Sequence, residues 1–151
     1  METLKVKKVN ENAVLPTRGS DGAAGLDLYA CLDAPVTIEP RGLYQIPTGI
    51  AIELPHQNTV GLIFARSGLG VKHGITLPNA VGVIDSDYRG ELRVGITNVS
   101  DKPYTIQPGE RCAQLVIMPV LLPVLEETDE LSETARGAGG FGSTGKREMT
   151  E

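Results

Sequence analysis

Short runs of alternating apolar and polar residues extend along most of this chain. In the run A-G-L-D-L-Y-A, residues 24–30, Leu26 and Leu28 share one face and Asp27 and Tyr29 lie on the other, which is the two-residue period of a strand. Turn segments such as E-P-R-G, I-P-T-G and Q-P-G-E separate further runs of this kind. These runs predict strands at 4–9, 36–39, 49–54, 59–65, 75–77, 104–106 and 113–118.

The pattern predicts an all-β fold, because no amphipathic window is long enough for a major helix. A barrel and a jelly-roll-like sandwich both fit many short strands joined by turns. One short helical turn is predicted within residues 66–74, R-S-G-L-G-V-K-H-G. Ser67 is expected to cap it, with the free amides of Gly68 and Leu69 at its N-terminal end.

The stretch N-A-V-G-V-I-D-S-D-Y-R-G-E-L-R-V, residues 79–94, has the pattern of a β-hairpin. An apolar run leads into Asp85, the turn segment D-Y-R-G follows, and apolar and polar residues then alternate over 91–97. Asp85 is therefore expected at the end of a strand, at the mouth of the hairpin. Aspartate beside a turn usually bonds its own backbone, so this segment alone favours turn-forming roles for Asp85 and Asp87.

The helical turn at residues 66–74 fits two interpretations. Amides at the start of a helix attract anions, and the guanidinium of Arg66 has the planar geometry that binds phosphate oxygens. An ordinary capped turn with a surface arginine fits the same residues, and the segment alone does not separate these alternatives.

Composition and charge limit the possible functions. The chain has 151 residues, 18 glycines, 10 prolines, six aromatic residues and a formal charge of −5, which suits one domain of short strands and many turns. A general nucleic-acid binder would normally carry a basic patch or stripe. There is no run of eighteen apolar residues and no apolar core of a signal peptide near the start. We therefore expect a cytoplasmic protein that binds neither membranes nor nucleic acid, with Cys31 and Cys112 reduced.

The composition changes after residue 125. Residues 126–151 carry seven acidic and three basic side chains and include R-G-A-G-G-F-G-S-T-G, residues 136–145. A segment so poor in apolar groups does not offset its own ordering entropy. It is either a flexible end or a lid that orders on a ligand. We predict a β-barrel domain over 1–125 and a C-terminal arm over 126–151 that belongs to the same functional unit.

Five segments, taken in order, resemble the five motifs of the trimeric deoxyuridine triphosphate nucleotidohydrolases (dUTPases). They are A-G-L-D-L-Y-A, R-S-G-L-G, N-A-V-G-V-I-D-S-D-Y-R-G, G-E-R-C-A-Q-L and R-G-A-G-G-F-G-S-T-G. The resemblance extends from about residue 4 to residue 145. It implies a jelly-roll-like β-barrel of the β-clip type, a homotrimer with shared active sites, and hydrolysis of dUTP to dUMP and pyrophosphate. Such an enzyme supplies dUMP for thymidylate synthesis and keeps uracil out of DNA.

The resemblance also implies roles for residues of the third motif. Asp85 matches the carboxylate that orients and deprotonates the water attacking the α-phosphorus. Tyr88 matches the ring that packs under the deoxyribose and leaves no room for a 2′-hydroxyl. The uracil edge would be read by Asn79 and by the backbone of Gly82, Val83, Ile84 and Asp85.

Other residues match the phosphate and metal groups of the family. Arg66, Ser67 and Gly68 match the phosphate-binding turn, and Gln114 matches an amide that reaches the phosphate chain. Asp27 matches an acid that meets hydrated Mg²⁺ through water, with the ion held mainly by the triphosphate. Further residues match the lining of the substrate site and the closing arm: Arg93, Arg136, Phe141, Ser143 and Thr144.

Two other functions are compatible with the same fold. A dCTP deaminase shares the fold family but needs chemistry at the base ring, whereas V-I-D-S-D-Y and the glycine-rich end match the hydrolase pattern. A non-catalytic nucleotide-binding regulator would have no need to keep Asp85. The sequence therefore favours the hydrolase.

Overall fold

This computed structural model describes residues 2–140 of the chain. These residues contain twelve strands and one helix, joined by turns and loops. The helix, α1, spans Ser67–His73. The strands are β1 (Lys5–Lys8), β2 (Thr17–Arg18), β3 (Leu26–Tyr29), β4 (Val36–Ile38), β5 (Leu43–Pro47), β6 (Ile50–Glu53), β7 (Thr59–Phe64), β8 (Ile75–Thr76), β9 (Gly82–Ile84), β10 (Arg93–Asn98), β11 (Tyr104–Ile106) and β12 (Arg111–Pro119).

The strands form four antiparallel sheets. The largest has the order β2-β3-β12-β7-β9, and a second has the order β5-β10-β8. Two further pairs, β1 with β6 and β11 with β4, complete the arrangement. The long strand β12 pairs with β3 on one side and with β7 on the other. The predicted all-β, jelly-roll-like fold is confirmed, and so is the single short helix within the described part of the chain.

The core is built from the inward faces of strands in different sheets. In β10, buried and more exposed residues alternate, as the sequence pattern predicts, and the same face includes Leu92 just before the strand. Fully burying one such aliphatic side chain stabilises the fold by about 1.5–3 kcal/mol. The best-buried side chains of this core include Leu28, Ile38, Ile46, Ile50, Ile75, Leu92, Ile96, Ile106 and Leu115.

The predicted hairpin of residues 79–94 is wrong. β9 pairs with β7, whereas β10 pairs with β5 and β8, so the two strands belong to different sheets. The loop after Asp85 therefore crosses from one sheet to the other. Alternation fixes which face of a strand is buried but does not identify its partner strand. Both strands exist at the predicted positions, and only their pairing differs.

Strand β5 was not predicted from the sequence. Its burial varies from exposed to buried, and Ile46 is its one fully buried residue. A strand with one deeply buried side chain and a terminal proline gives no clear apolar period. Tertiary pairing with β10 stabilises β5. No helix in residues 2–140 has the length and hydrophobicity needed to cross a membrane.

Candidate functional site

Asp85 follows β9 directly and borders two open cavities. One has a volume of about 210 Å³, and its lining includes Asp85, Tyr88 and Arg93. The other, of about 580 Å³, is lined by Asp85, Asp87 and residues from β7 and the segment after β12. Within residues 2–140, the Asp85 carboxylate makes no hydrogen bond or ion pair. Its carboxylate oxygens are therefore available to a ligand in either cavity.

The backbone of β9 is open on one side. β9 is the last strand of the five-stranded sheet, so only the edge facing β7 is paired within the described residues. The unpaired edge of a strand presents alternating N–H and C=O groups. Gly82, Val83 and Ile84 thus carry donors and acceptors that can bind the polar edge of a flat ring.

Asn79 lies in the turn that enters β9. The amide of Val81 donates to the carbonyl oxygen of Asn79 at 2.7 Å, and Ala80 has a positive φ of 61°. A non-glycine residue in this region carries strain of about 1 kcal/mol. The turn has a specific, strained shape, and the Asn79 side chain is exposed beside it.

The loop after Asp85 folds back on itself at Tyr88. The Tyr88 amide donates to the Asp85 carbonyl oxygen at 3.1 Å, and the Tyr88 hydroxyl donates to the Glu91 carbonyl oxygen at 3.0 Å. Arg93, at the start of β10, lies 3.5 Å from a carboxylate oxygen of Glu91. Tyr88, Glu91 and Arg93 therefore line one side of the smaller cavity.

A second group of polar side chains surrounds Asp27 on β3. Arg66 donates through Nε to Oδ1 of Asp27 at 3.0 Å, and Arg111 donates through Nη1 to Oδ2 at 3.2 Å. Both carboxylate oxygens are thus occupied, in contrast to those of Asp85. Two guanidinium groups and one carboxylate leave this group with a net charge of +1, which suits an anionic ligand.

Arg111 is the residue of this group that sequence reasoning did not select. It lies in the segment G-E-R-C-A-Q-L, and its partner Asp27 is far away along the chain. The pairing of β12 with β3 aligns Arg111 with Tyr29 and Gln114 with Asp27, with a bulge between them. The strand pairing identifies this contact, and neither motif indicates it alone.

Gln114 and the start of α1 complete this second group. Gln114 donates through Nε2 to the carbonyl oxygen of Ala65 at 3.0 Å. A Cβ atom on Gly25 would lie 2.9 Å from Oε1 of Gln114, so glycine leaves room for the amide. Gln114 is therefore held beside Ala65, the residue that precedes Arg66.

The predicted capping role of Ser67 is wrong. The N-cap is Arg66, whose backbone is extended and whose side chain makes no capping bond. Ser67 is consequently the first residue of α1. The amides of Ser67 and Gly68 have no acceptor among residues 2–140, and a Cβ at Gly68 would meet nothing within 4 Å.

The two groups of side chains are far apart on one chain. Three strand spacings separate β3 from β9, and the strand registers offset Asp27 from Asp85 by four residues. With about 4.8 Å between strands and about 3.3 Å per residue, the separation is about 20 Å along the sheet. The predicted site residues therefore form two separate groups. One consists of Asp27, Arg66, Ser67, Gly68 and Gln114. The other consists of Gly82, Val83, Ile84, Asp85, Tyr88 and Arg93.

The predicted arm lies partly outside the described residues. Arg136 is exposed and donates through Nε to the carbonyl oxygen of Gly139 at 2.8 Å, within its own turn. Phe141, Ser143 and Thr144 lie outside the described residues. Among residues 2–140, no cluster of three or more His, Cys, Asp or Glu side chains has the geometry to hold a metal ion.

Comparisons with known proteins give one consistent result. A family model described as dUTPase matches residues 11–145. A deoxyuridine 5′-triphosphate nucleotidohydrolase of Desulfitobacterium hafniense is 49% identical over 149 residues, which cover 96% of this chain and 99% of the relative. The dUTPase of Staphylococcus bacteriophage 80alpha, in a structure with dUPNHPP, is 32% identical with a TM-score of 0.88, covering 97% of this chain and 100% of that one.

A second solved structure concerns a metal ion. A mutant dUTPase from phage phi11 of S. aureus is 29% identical to this chain, with a TM-score of 0.78 and coverage of 87% of this chain and 99% of that one. That structure describes the coordination of a structural Mg(II) ion.

Proposed function

The chain belongs to the dUTPase family, and from this premise we propose how its residues carry out the reaction of that family. The protein is a hydrolase of nucleotide metabolism that converts dUTP to dUMP and pyrophosphate. Its reaction supplies dUMP for thymidylate synthesis and removes a precursor that would bring uracil into DNA.

The observation that carries the catalytic proposal is the contrast between two aspartates. Asp85 is exposed, unpaired within residues 2–140 and adjacent to both cavities. Asp27 has both oxygens engaged by guanidinium groups. A general base needs a free lone pair directed at a water molecule, so Asp85 is the better base and Asp27 the better electrostatic partner.

In the proposed reaction, Asp85 holds a water molecule in line with the α-phosphorus and accepts its proton. A bond forms between the water oxygen and the α-phosphorus, and the bond from this phosphorus to the oxygen bridging to the β-phosphate breaks. Pyrophosphate leaves with the electron pair of that bond. Positioning and charge stabilisation dominate such transfers, because the protein forms no covalent bond to phosphorus.

Recognition of the base is assigned to the open edge of β9 and to Asn79. The fixed donors and acceptors of Gly82, Val83 and Ile84 match uracil, and cytosine would leave some of them unpaired, which is a costly mismatch in a buried site. Tyr88 and Arg93 line the same cavity, and we assign to Tyr88 the contact with the deoxyribose. Its ring excludes a 2′-hydroxyl, which makes the site specific for deoxyribose.

Recognition of the triphosphate is assigned to the second group of side chains. The free amides of Ser67 and Gly68, the guanidinium of Arg66 and the amide of Gln114 supply donors to phosphate oxygens. Arg136, Ser143 and Thr144 add donors from the arm, and Phe141 stacks on the uracil ring. This group's charge of +1 supports the assignment.

We assign Mg²⁺ as the cofactor, with Asp27 contacting it through water. Each oxygen of Asp27 accepts one bond from an arginine and retains a further lone pair for a water molecule. Magnesium usually keeps several waters and binds substrate phosphates rather than a cage of protein ligands. When bound, the ion would neutralise charge on the triphosphate, and Asp27, held by Arg66 and Arg111, would accept hydrogen bonds from its water molecules.

We propose that the enzyme is a homotrimer whose active sites are shared between subunits. The separation of about 20 Å between Asp27 and Asp85, from strand spacings, is too large for one chain to surround a single triphosphate with both groups. If the Asp85 group of one chain lies next to the Asp27 group of another chain, both groups can contact the same triphosphate. Cyclic symmetry then generates equivalent sites at every interface.

The domain boundary and the cellular location are proposed on other grounds. Among the described residues, the core cluster ends at Ile117, which supports a barrel domain over 1–125 and an arm over 126–151. Cys31 and Cys112 are free thiols, as expected for a protein of the reducing cytoplasm.

The test of the proposed function is a product assay with purified protein, Mg²⁺ and either dUTP or dCTP. Release of dUMP and pyrophosphate from dUTP is the expected result. Formation of dUTP from dCTP would identify a deaminase instead. Nucleotide binding without turnover of either substrate would identify a non-catalytic regulator.

A further inference from the structure

We propose that Gly90 and Glu91 hold the Tyr88 ring in place and thereby set the preference of the site for deoxyribose over ribose. The proposal rests on the function given above, because it concerns the sugar that Tyr88 contacts. It adds two positioning residues that act through Tyr88 and do not react themselves.

The Tyr88 ring lies directly against Gly90. A Cβ atom built on Gly90 would stand 2.4 Å from the Tyr88 hydroxyl oxygen, 2.6 Å from Cζ and 3.0 Å from Cε2. Real Cβ atoms do not approach other atoms so closely, so any side chain at this position must displace the ring. Gly90 is not among the residues with positive φ, and therefore the ring, not the backbone conformation, requires glycine here.

Glu91 binds the same, hydroxyl-bearing end of the ring. Its carbonyl oxygen accepts the Tyr88 hydroxyl at 3.0 Å, while its carboxylate accepts the Gly49 amide at 2.9 Å through Oε1. The other carboxylate oxygen lies 3.5 Å from Nε of Arg93. One residue therefore connects Tyr88, Arg93 and the corner between β5 and β6.

That corner is a rigid support. Thr48 donates through Oγ1 to the Leu92 carbonyl oxygen at 2.5 Å, and the Leu92 amide donates to Ile50 at 2.8 Å. Thr48 and Leu92 are almost completely buried. Gly49 has a φ of 68°, and a Cβ there would lie 2.7 Å from Cβ of Ala13. Glu91 is thus anchored to backbone that has little freedom to move.

The consequence for the site is a ring whose hydroxyl end is bound by Glu91 and lies close against Gly90. Gly90 permits the ring to lie close to the loop, and the Glu91 carbonyl fixes its hydroxyl. A ring held in this way cannot swing aside for the extra hydroxyl of a ribose. The fixed position of Tyr88 therefore determines sugar selectivity, and loss of either support should relax it.

The test compares kcat/KM for dUTP and UTP in Gly90→Ala, Glu91→Ala and Glu91→Gln. Displacing a positioned group by about 1 Å can cost on the order of 100-fold in rate. We expect the dUTP-to-UTP ratio to fall by roughly 10-fold in Gly90→Ala. The fall should be smaller in Glu91→Ala, because this variant keeps the carbonyl that accepts the Tyr88 hydroxyl and removes only the carboxylate that anchors Glu91 to the Gly49 amide. Glu91→Gln retains an acceptor for the Gly49 amide, so it should keep the ratio and change only KM, through Arg93.

Matched controls separate positioning from general damage. A Cβ at Gly22 meets nothing within 4 Å, so Gly22→Ala adds the same methyl group away from the ring. Glu39→Gln removes one exposed carboxylate that makes no side-chain hydrogen bond or ion pair within residues 2–140. Both controls should keep the wild-type ratio. Equilibrium binding of dUMP and UMP to each variant gives a measure of selectivity that does not depend on turnover.

The outcomes distinguish this proposal from the proposed function. If Gly90→Ala and Glu91→Ala lower activity on both substrates equally, the two residues are merely structural and the proposal is overturned, while dUTP hydrolysis stands. If the wild-type protein does not hydrolyse dUTP, the function itself fails. If Gly90→Ala does not fold, Tyr88→Phe takes its place, because it removes only the hydroxyl that binds the Glu91 carbonyl. An unchanged dUTP-to-UTP ratio in both Tyr88→Phe and Glu91→Ala would overturn the proposal.

Discussion

Asp85 combines a backbone that closes a turn with a side chain that is unpaired within residues 2–140. Its backbone closes the turn by accepting the Tyr88 amide at 3.1 Å, so it has the structural role that the local sequence favours. Its side chain takes no part in that turn and faces the cavities. The same residue can therefore shape the loop with its backbone and act as a base with its carboxylate.

Replacement of Asp85 by asparagine should separate binding from catalysis. Asparagine has nearly the same shape but cannot accept a proton, so Asp85→Asn should bind dUTP with near-normal affinity and lose roughly 1000-fold in kcat. Stopped assays of dUMP formation and calorimetric binding of a non-hydrolysable dUTP analogue measure the two quantities. A kcat close to that of the wild type would remove Asp85 from the base role.

The two cysteines should differ in reactivity. Burial is the main cause that raises the pKa of Cys112 to about 12, and it also raises the pKa of Cys31. Because the thiolate is the reacting form, a raised pKa leaves less of it at a given pH. At pH 8, a thiol reagent should therefore label at most Cys31 in the native protein and both cysteines after denaturation. Equal and rapid labelling of both thiols in the native state would contradict this expectation.

Some contacts of single residues cannot be predicted from the sequence. Leu28 and Asp27 were assigned to opposite faces of a strand from periodicity alone, and the burial of Leu28 agrees. The contact of Arg111 with Asp27 depends on the register of two strands that are distant in sequence. The start of α1 was one residue off, which changed Ser67 from a cap to a helical residue. Helix ends are sensitive to single backbone angles that composition does not fix.

Among the elements, β9 and its following loop organise the candidate site. β9 has only three residues, yet its pairing with β7 leaves one edge open. The loop then crosses to the second sheet and is held there by Leu92. The sequence identified β9 and β10 but paired them with each other, because a turn between two strands is the strongest local signal for a hairpin. Their true partners are set by long-range packing.

The arm should be dispensable for folding but not for catalysis. Within residues 2–140, no residue of the core cluster lies beyond Ile117, so deletion from residue 135 should leave the thermal unfolding temperature nearly unchanged. Loss of Arg136 and of the donors proposed to close over the phosphates should lower kcat/KM on the order of 100-fold. Differential scanning calorimetry and the dUTP assay test the two expectations. Full activity of the truncated protein would exclude a role for the arm.

For the whole molecule, the distance between the two groups of site residues has a direct consequence. In the proposed trimer, each chain contributes one group to one site and the other group to a neighbouring site. The fold of a single chain could be predicted as all-β from its alternating runs and turn segments. The proposed sharing of sites could not be derived from those patterns, since strand order and register determine the separation of Asp27 from Asp85.

Mixing two inactive variants tests the sharing. Asp85→Asn and Arg66→Ala chains are refolded together in equal amounts, and each is also refolded alone. In a cyclic trimer, every mixed assembly contains one site built from two intact groups, so the mixture should recover about a quarter of wild-type activity. Native mass spectrometry should give three times the 16.0 kDa mass of one chain. A mixture no more active than its components would contradict the shared site.

The reaction itself is tested most directly by hydrolysis of dUTP in water enriched in ¹⁸O, with Mg²⁺ and wild-type protein. Attack of water on the α-phosphorus places the label in dUMP and leaves pyrophosphate unlabelled, and mass spectrometry of the two products distinguishes them. We predict one ¹⁸O atom in each dUMP and none in pyrophosphate. Label in pyrophosphate, or the absence of both products, would contradict the account.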